Sequence, residues 1–486
     1  MTTRHVYDAI IVGAGFGGLG QGATFRQRGI DDFLILEKSE DIGGVWRDNT
    51  YPGAACDTQS VIYCYSYFLN LRVTRMYAGQ EELLAYLRDL STRFELDRQI
   101  RLGHDVSKAV WEDETATWRI RVATGAEFHA RSFIAAWGQL GTPSVPSFAG
   151  ADSYQGVTFH SAQWRHDIDL TGKRVASIGS AATAVQYVPE VAKIAHRLAV
   201  FQRSANYILP RDQHIFSPDE TSEFLADPDV FRRVRREIHD FREAGFERTR
   251  LHTSASEEGV RLAKEHLTTN IVDPSLREKL TPDYEYGCKR ILRSDDFYPA
   301  LTRENVELVT EPIASFTPTG IRTADGVERD FDVVIYATGF KSQAFQAGMQ
   351  IVGRDGVTLD ERWGIDPEAY LGITVDGFPN MFLIYGPNTN LNHNSVVTML
   401  EAQHDYISQC VQYLSGDTKR TLEVDRDVLR AFVDRVQSDL EQSAYSSDCS
   451  SWYKNSAGRV INNWSGTVDE YRTVTHDLEL ADFLAE

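Results

Sequence analysis

Two strand–turn–helix patterns, each built on a glycine turn, recur in this chain and limit what it can fold into. The first turn is Gly13-Ala14-Gly15-Phe16-Gly17-Gly18, entered through Ala9-Ile10-Ile11-Val12. The second is Gly179-Ser180-Ala181-Ala182-Thr183-Ala184, entered through Val175-Ala176-Ser177-Ile178. An apolar strand that runs through a tight turn into a helix, then into another strand, is a βαβ unit, and such units build parallel sheets covered by helices. The expected fold class is α/β, with two Rossmann-like dinucleotide-binding domains.

The charges that follow the two turns differ. Twenty-four residues after Gly13, the strand Phe33-Leu34-Ile35-Leu36 ends in Glu37; the same distance after Gly179, Leu198-Ala199-Val200-Phe201 leads to Gln202-Arg203. A carboxylate at that position accepts hydrogen bonds from ribose hydroxyls, whereas a guanidinium suits a 2′-phosphate. The first turn therefore predicts FAD and the second NADP. In the first, Gly13 permits the tight turn, Gly15 lets backbone approach a pyrophosphate and Gly18 lets helix pack on strand. The second turn has Ala181 and Ala184 where glycine is usual, so its assignment leans on Arg203 and Ser204, against the plainer reading of a surface arginine at a strand end.

The first unit runs to Pro143–Pro146, where Thr-Pro-Ser-Val-Pro marks a boundary. From Arg211 to Tyr286 charged and apolar residues alternate at helical spacing, which predicts a helical insertion at 214–286. Strands at Asn305–Val309 and Asp332–Tyr336 then complete the second unit, and Met381–Tyr385 plus a helix from Ser395 to Leu414 return to the first. The expected division is 1–146 with 341–486, 147–213 with 287–340, and the insertion between.

With 486 residues, 42% hydrophobic and 25% charged, the composition is that of an ordinary globular protein. A net charge of −20 with no offsetting basic stretch argues against a nucleic-acid partner. No run approaches the ~18 apolar residues of a membrane span, and the first strand starts too early for a secretory signal. Five scattered cysteines, Cys56, Cys64, Cys288, Cys410 and Cys449, form no CxxC pair. They suggest a reducing cytoplasm without a disulfide framework and count against a dithiol reductase.

Between the turns lies Gly43-Gly44-Val45-Trp46, then Tyr51-Pro52-Gly53, then Asp57. This segment resembles the flavin-proximal fingerprint of type I Baeyer–Villiger monooxygenases. Tyr154-x-Gly156-x-x-x-His160-x-x-x-Trp164 resembles the family's linker motif, with Tyr154 in place of Phe and Arg165 where Pro or Asp is usual. Trp164 favours the Baeyer–Villiger side over related N- and S-oxygenating enzymes, and His160 is more readily a satisfied histidine between domains than a participant in the chemistry. Cys288-Lys289-Arg290 resembles the segment that carries the family's active-site arginine; without that likeness it is an unremarkable basic pair. Asp332–Phe340 and Tyr385-Gly386-Pro387-Asn388-Thr389-Asn390 resemble the returning strand and the C-terminal flavin loop. Trp452-Tyr453 and Asn463-Trp464 look like tail residues near the cofactors, though core packing of those aromatics is the stronger reading.

The resemblance implies FAD bound by Gly13, Gly15, Gly18, Glu37, Lys38, Gly44, Val45, Trp46, Asp57, Tyr63, Val106 and Asn388. It implies NADPH bound by Gly179, Ser180, Ala181, Ala182, Thr183, Arg203, Ser204 and Lys289. Arg290 and Asp57 become the catalytic pair, insertion of oxygen from O2 beside a ketone carbonyl the activity, and an anionic peroxide of the flavin the oxidant. Sulfide or amine oxygenation, wasteful NADPH oxidation, and a redox-silent cofactor-binding protein are the alternatives. The partners expected are a small-molecule ketone and O2, with the chain a monomer or homodimer and no nucleic acid or membrane involved.

Overall fold

The computed structural model describes residues 5–343, 345, 348–416 and 420–485. The apolar runs before the two turns become the central strands of two separate parallel arrays. Val6–Val12 is flanked in parallel by Phe33–Leu36 and Glu127–Ala135, and Ile100–Arg101 extends the sheet beyond Phe33–Leu36. Val106–Glu112 and Thr117–Val122 add an antiparallel arm, and Met381–Leu383 pairs in parallel with the end of Glu127–Ala135. Strands from both ends of the chain thus share one sheet.

The second sheet has the order Val306–Val309, Arg197–Phe201, Arg174–Ile178, Val333–Tyr336, Val157–His160, all parallel. Both sheets are buried on two faces, which explains why their core strands read as unbroken apolar runs instead of alternating ones. The burial of Ile10, Ile11, Ile35 and Ile134 in one sheet matches that of Val175, Val200 and Ile335 in the other.

Four helices fill the inserted stretch: Pro218–Ala226, Pro228–Ala244, Ser254–Asn270 and Pro274–Lys279. Each starts on a side-chain cap, from Ser217, Asp227, Thr253 and Asp273, which satisfies amides the first turn leaves open. Glu243 fastens the second of these helices to the C-terminal part of the chain. Its carboxylate accepts hydrogen bonds from Asn394 Nδ2 at 2.7 Å and from the amides of Val468 and Asp469 at 3.3 and 3.1 Å.

Two expectations need correction. Met381–Leu383 is shorter than the predicted strand, because Tyr385 takes a left-handed conformation (φ 61°) that a strand cannot continue through. The cysteines do form a disulfide, Cys288–Cys449, with Cα atoms 6.4 Å apart, and Cys56, Cys64 and Cys410 are buried thiols. The sequence could not show this pairing, because 161 positions separate the partners and only the fold brings them together. No helix of the described residues is long and apolar enough to cross a membrane.

Candidate functional site

At the first turn Gly13 and Gly18 are required by close backbone approach. Gly13 has φ +107°, and a Cβ there would stand 2.5 Å from the carbonyl oxygen of Ala136; a Cβ on Gly18 would stand 1.8 Å from the oxygen of Gly13. Gly15 faces Gly44 across bare backbone, the Gly44 Cα being the nearest atom, 3.6 Å from where a Gly15 Cβ would be. The helix Phe16–Gln27 starts at Gly15 with no side-chain cap, so its first amides are left for a ligand. An uncapped helix start beside such a cradle fits a pyrophosphate.

Glu37 is buried at the end of its strand. Its carboxylate accepts from the Ala14 amide (2.8 Å), the Ser39 amide (3.0 Å) and Arg47 Nη1 (3.1 Å). It therefore braces the glycine turn. Lys38 beside it is exposed. Val106 is buried two residues beyond His104, whose amide donates to the Glu37 carbonyl at 2.8 Å. Val45 and Trp46 open the short helix Val45–Asp48, and Trp46 Nε1 donates to the Tyr63 hydroxyl at 3.3 Å. Asn388 Nδ2 donates to the carbonyls of Val460 and Asn463.

The second turn repeats the close approach at its first glycine. Gly179 has φ +115°, and a Cβ there would meet the Ala337 oxygen at 2.3 Å. The carbonyl of Ser180 accepts from Asn206 Nδ2 at 3.0 Å, Ala181 and Ala182 are exposed, and Thr183 precedes the helix Ala184–Ile194 without a side-chain cap. Beyond the next strand Arg203 is exposed, and Lys289 Nζ donates to Ser204 Oγ at 2.8 Å. Burial and then the nearby Arg203 charge push the Lys289 ammonium below its ordinary pKa. Two cations that repel each other beside a hydroxyl fit a bound phosphate.

Asp57 and Arg290, 233 positions apart, form a two-pronged ion pair: Arg290 Nε to Oδ2 at 2.9 Å and Nη2 to Oδ1 at 2.6 Å. Burial alone would raise the Asp57 pKa, but Arg290, followed by Arg211 and Arg242, holds it below the usual carboxylate range. The Asp57 charge in turn raises Arg290 despite its desolvation. Both groups stay ionised at neutral pH. A forked guanidinium fixed in this way cannot rotate away from charge that develops next to it.

His160 uses both ring nitrogens on backbone: Nε2 lies 3.0 Å from the Gly339 carbonyl, and Nδ1 accepts from the Ala162 amide at 3.1 Å. Burial lowers its pKa, so it is a neutral joint between the linker and the end of the Val333–Tyr336 strand. Trp464 packs on Phe432 and Tyr471, and Tyr453 is fully buried with its hydroxyl donating to Asn392 at 2.8 Å.

Sequence reasoning missed Gln186. From the helix after the second turn, its Oε1 accepts from the Tyr51 hydroxyl (2.9 Å) and the Ala55 amide (3.3 Å), and its Nε2 donates to the Ala55 carbonyl (2.9 Å). Arg211 was missed too; its Nη2 donates to the Cys56 carbonyl at 3.1 Å, one residue from Asp57. Neither carried a motif. The nearest signal was Gly53, where a Cβ would strike the Gln186 carbonyl at 2.6 Å.

Residues 10–224, which span both glycine turns, match the model of the pyridine nucleotide-disulphide oxidoreductase family. A Baeyer–Villiger monooxygenase of Pseudomonas aeruginosa is 38% identical over 482 residues, 99% of this chain and 91% of the relative. One from Streptomyces coelicolor is 37% identical, covering 99% and 92%. Among solved structures, an oxidised steroid monooxygenase bound to NADP superposes with a TM-score of 0.88 at 33% identity, over 97% of each chain. A closed cyclohexanone monooxygenase gives 0.89 at 26% identity over 100% of both. Matched from end to end by such relatives, and carrying the fingerprint segment folded around an Asp57–Arg290 pair, the chain belongs to the Baeyer–Villiger monooxygenase family.

Proposed function

We propose that the protein is an FAD- and NADPH-dependent monooxygenase that places one oxygen atom of O2 beside a ketone carbonyl, giving an ester or lactone. FAD would be held by the cradle of Gly13, Gly15, Gly18 and Gly44 and by Glu37, in a unit made of 1–146 and 341–486. NADPH would be held by Gly179 and the helix start at Thr183, in a unit made of 147–213 and 287–340. Arg203, Ser204 and Lys289 take its 2′-phosphate. When bound and reduced by NADPH, the flavin supplies the activated oxygen.

The observation that carries this reading is the Asp57–Arg290 pair. Arg290 stabilises negative charge on oxygen as the carbonyl is attacked, and it does so without reorganising, because Asp57 already holds its orientation. The same fixed positive charge would favour an unprotonated, nucleophilic oxygen at this site over a protonated one. That favours carbonyl attack over transfer to nitrogen or sulfur, which needs a protonated, electrophilic oxygen. The substrates are a small-molecule ketone and O2; the need for NADPH supports a cytoplasmic setting, and the Cys288–Cys449 disulfide counts against it.

The test is Arg290→Ala, purified yellow and bleached by NADPH, with products identified by mass spectrometry across ketones, sulfides and amines. Ester formation should fall on the order of a hundredfold or more while FAD remains bound. Undiminished ketone oxidation in this variant would overturn the assignment.

A further inference from the structure

The cavity next to the Asp57–Arg290 pair is lined by more positive charge than the reaction accounts for. Besides Arg290 it is bordered by Arg242 and Arg248 of the helical insertion and by Arg293, three residues beyond Arg290. Leu391 and His393, just after the flavin loop, close its other side. Its one acidic wall residue is Asp57, already engaged by Arg290. Glu243, one residue from Arg242, is occupied by Asn394 and the Val468 and Asp469 amides.

None of Arg242, Arg248 and Arg293 forms an ion pair with a carboxylate among the described residues. Arg242 directs Nε and Nη2 to the side-chain oxygen of Gln59, the Nε contact at 2.8 Å. Arg293 donates Nη1 to the Pro210 carbonyl at 3.0 Å, and Arg248 lies over the Phe241 ring at 5.9 Å. A guanidinium has five N–H donors, so each keeps several to spare. Burial and then repulsion by Arg293 push the Arg242 pKa down to about 10, so the group is held at a cost. Yet the chain as a whole carries a net charge of −20. Three partly buried cations with no carboxylate in salt-bridge contact, only the longer-range charge of Asp57 near Arg242 and of Glu258 near Arg248, leave room for a ligand that brings negative charge.

We propose that the ketones this site prefers carry a carboxylate, received by Arg242, Arg248 and Arg293 while the carbonyl lies at Arg290. This rests on the ketone-oxidising reading above and adds the substrate class. Planar, forked guanidiniums match a carboxylate with paired hydrogen bonds, and a neutral ester of the same length cannot form them as well. The anion also anchors the far end of the substrate, so its binding energy orients the carbonyl.

The experiment compares 5-oxohexanoate with its methyl ester on the FAD-loaded enzyme with NADP+ bound, a state in which neither ketone is consumed. Dissociation constants come from equilibrium dialysis, and kcat/KM is measured separately with NADPH. The acid should bind on the order of tenfold more tightly than the ester. Only the acid should weaken as salt is raised, a readout that needs no variant. Arg248→Met and Arg293→Met, made separately, should each bring the acid-to-ester ratio toward one. Equal binding of the two ligands, salt-independent acid binding, or an acid preference that survives both substitutions overturns the proposal. So does weakened NADPH binding in the variants, which would assign these arginines to the nucleotide. Loss of ester product from both ketones, with acid-selective binding intact, would instead overturn the ketone-oxidising reading.

Discussion

Asp57 does not touch the reacting carbonyl in the proposed role; it acts by holding Arg290. Removing it should therefore cost less than removing Arg290. Asp57→Ala is expected to slow ester formation by about tenfold while FAD stays bound, measured as kcat at saturating ketone. Asp57→Asn, which keeps the shape and loses the charge, should fall between the wild type and Asp57→Ala. In the proposed NADPH site the methyl of Ala181 would stand where the phosphates approach, and the residue is exposed just before the helix Ala184–Ile194. Ala181→Gly should tighten NADPH binding in stopped-flow reduction, and no gain, or a loss, would show that the backbone already accommodates the methyl. The residues the sequence revealed are those whose chemistry is local. Gly13 and Gly179 are needed by their own backbone angles, and Trp46 and Asp57 belong to one contiguous fingerprint. Gln186, Arg211 and the cavity arginines stayed hidden, because their roles arise from partners more than a hundred positions away or on a different element.

Among the elements, the core strands were legible because unbroken apolar runs between turns have few other uses, while their ends were not. Met381–Leu383 stops where Tyr385 must turn to bring the flavin loop round, a constraint set by the neighbouring segments and not by its own side chains. The segment of Lys289 and Arg290 is held in the same tertiary way. Cys288, immediately before them, is bonded to Cys449 in the C-terminal tail. Closing so long a loop stabilises by up to about 5 kcal/mol in the chain-entropy treatment, less any strain in the native bond. Dithiothreitol should lower the melting temperature of the wild type and leave that of Cys449→Ser unchanged, read by flavin fluorescence. Equal melting of the wild type with and without reductant would show that the bond does not bear on stability.

On the scale of the whole molecule, the helical insertion is the piece least readable from sequence and the one that closes the site. Its alternation of charged and apolar residues predicted helices but not where they would dock. One point of docking is Glu243, whose carboxylate is a shared acceptor for Asn394 and for the start of the helix Val468–Val474. Burial opposes its charge, but hydrogen bonds from His393, Asn394 and the Asp469 amide hold its pKa down at about 2, against an ordinary 4.5. A depressed carboxylate contributes stability that is present above its unfolded pKa and is lost as pH falls through its folded one. Glu243→Gln should therefore lower the melting temperature at pH 7 and flatten the loss of stability between pH 4.5 and about 2. Circular dichroism melts across that range would show it, and parallel pH profiles for the two proteins would remove Glu243 from the account.

The Cys288–Cys449 bond also makes the chain a closed ring between those two positions, and its exposed hairpin tip at Asp325 and Gly326 lies on that ring. A protease that cuts the tip severs the backbone without separating the pieces. On a denaturing gel the nicked protein should run as a single species until reductant is added and as two fragments afterwards. A cut at exposed Val272, outside the ring, should give two fragments either way.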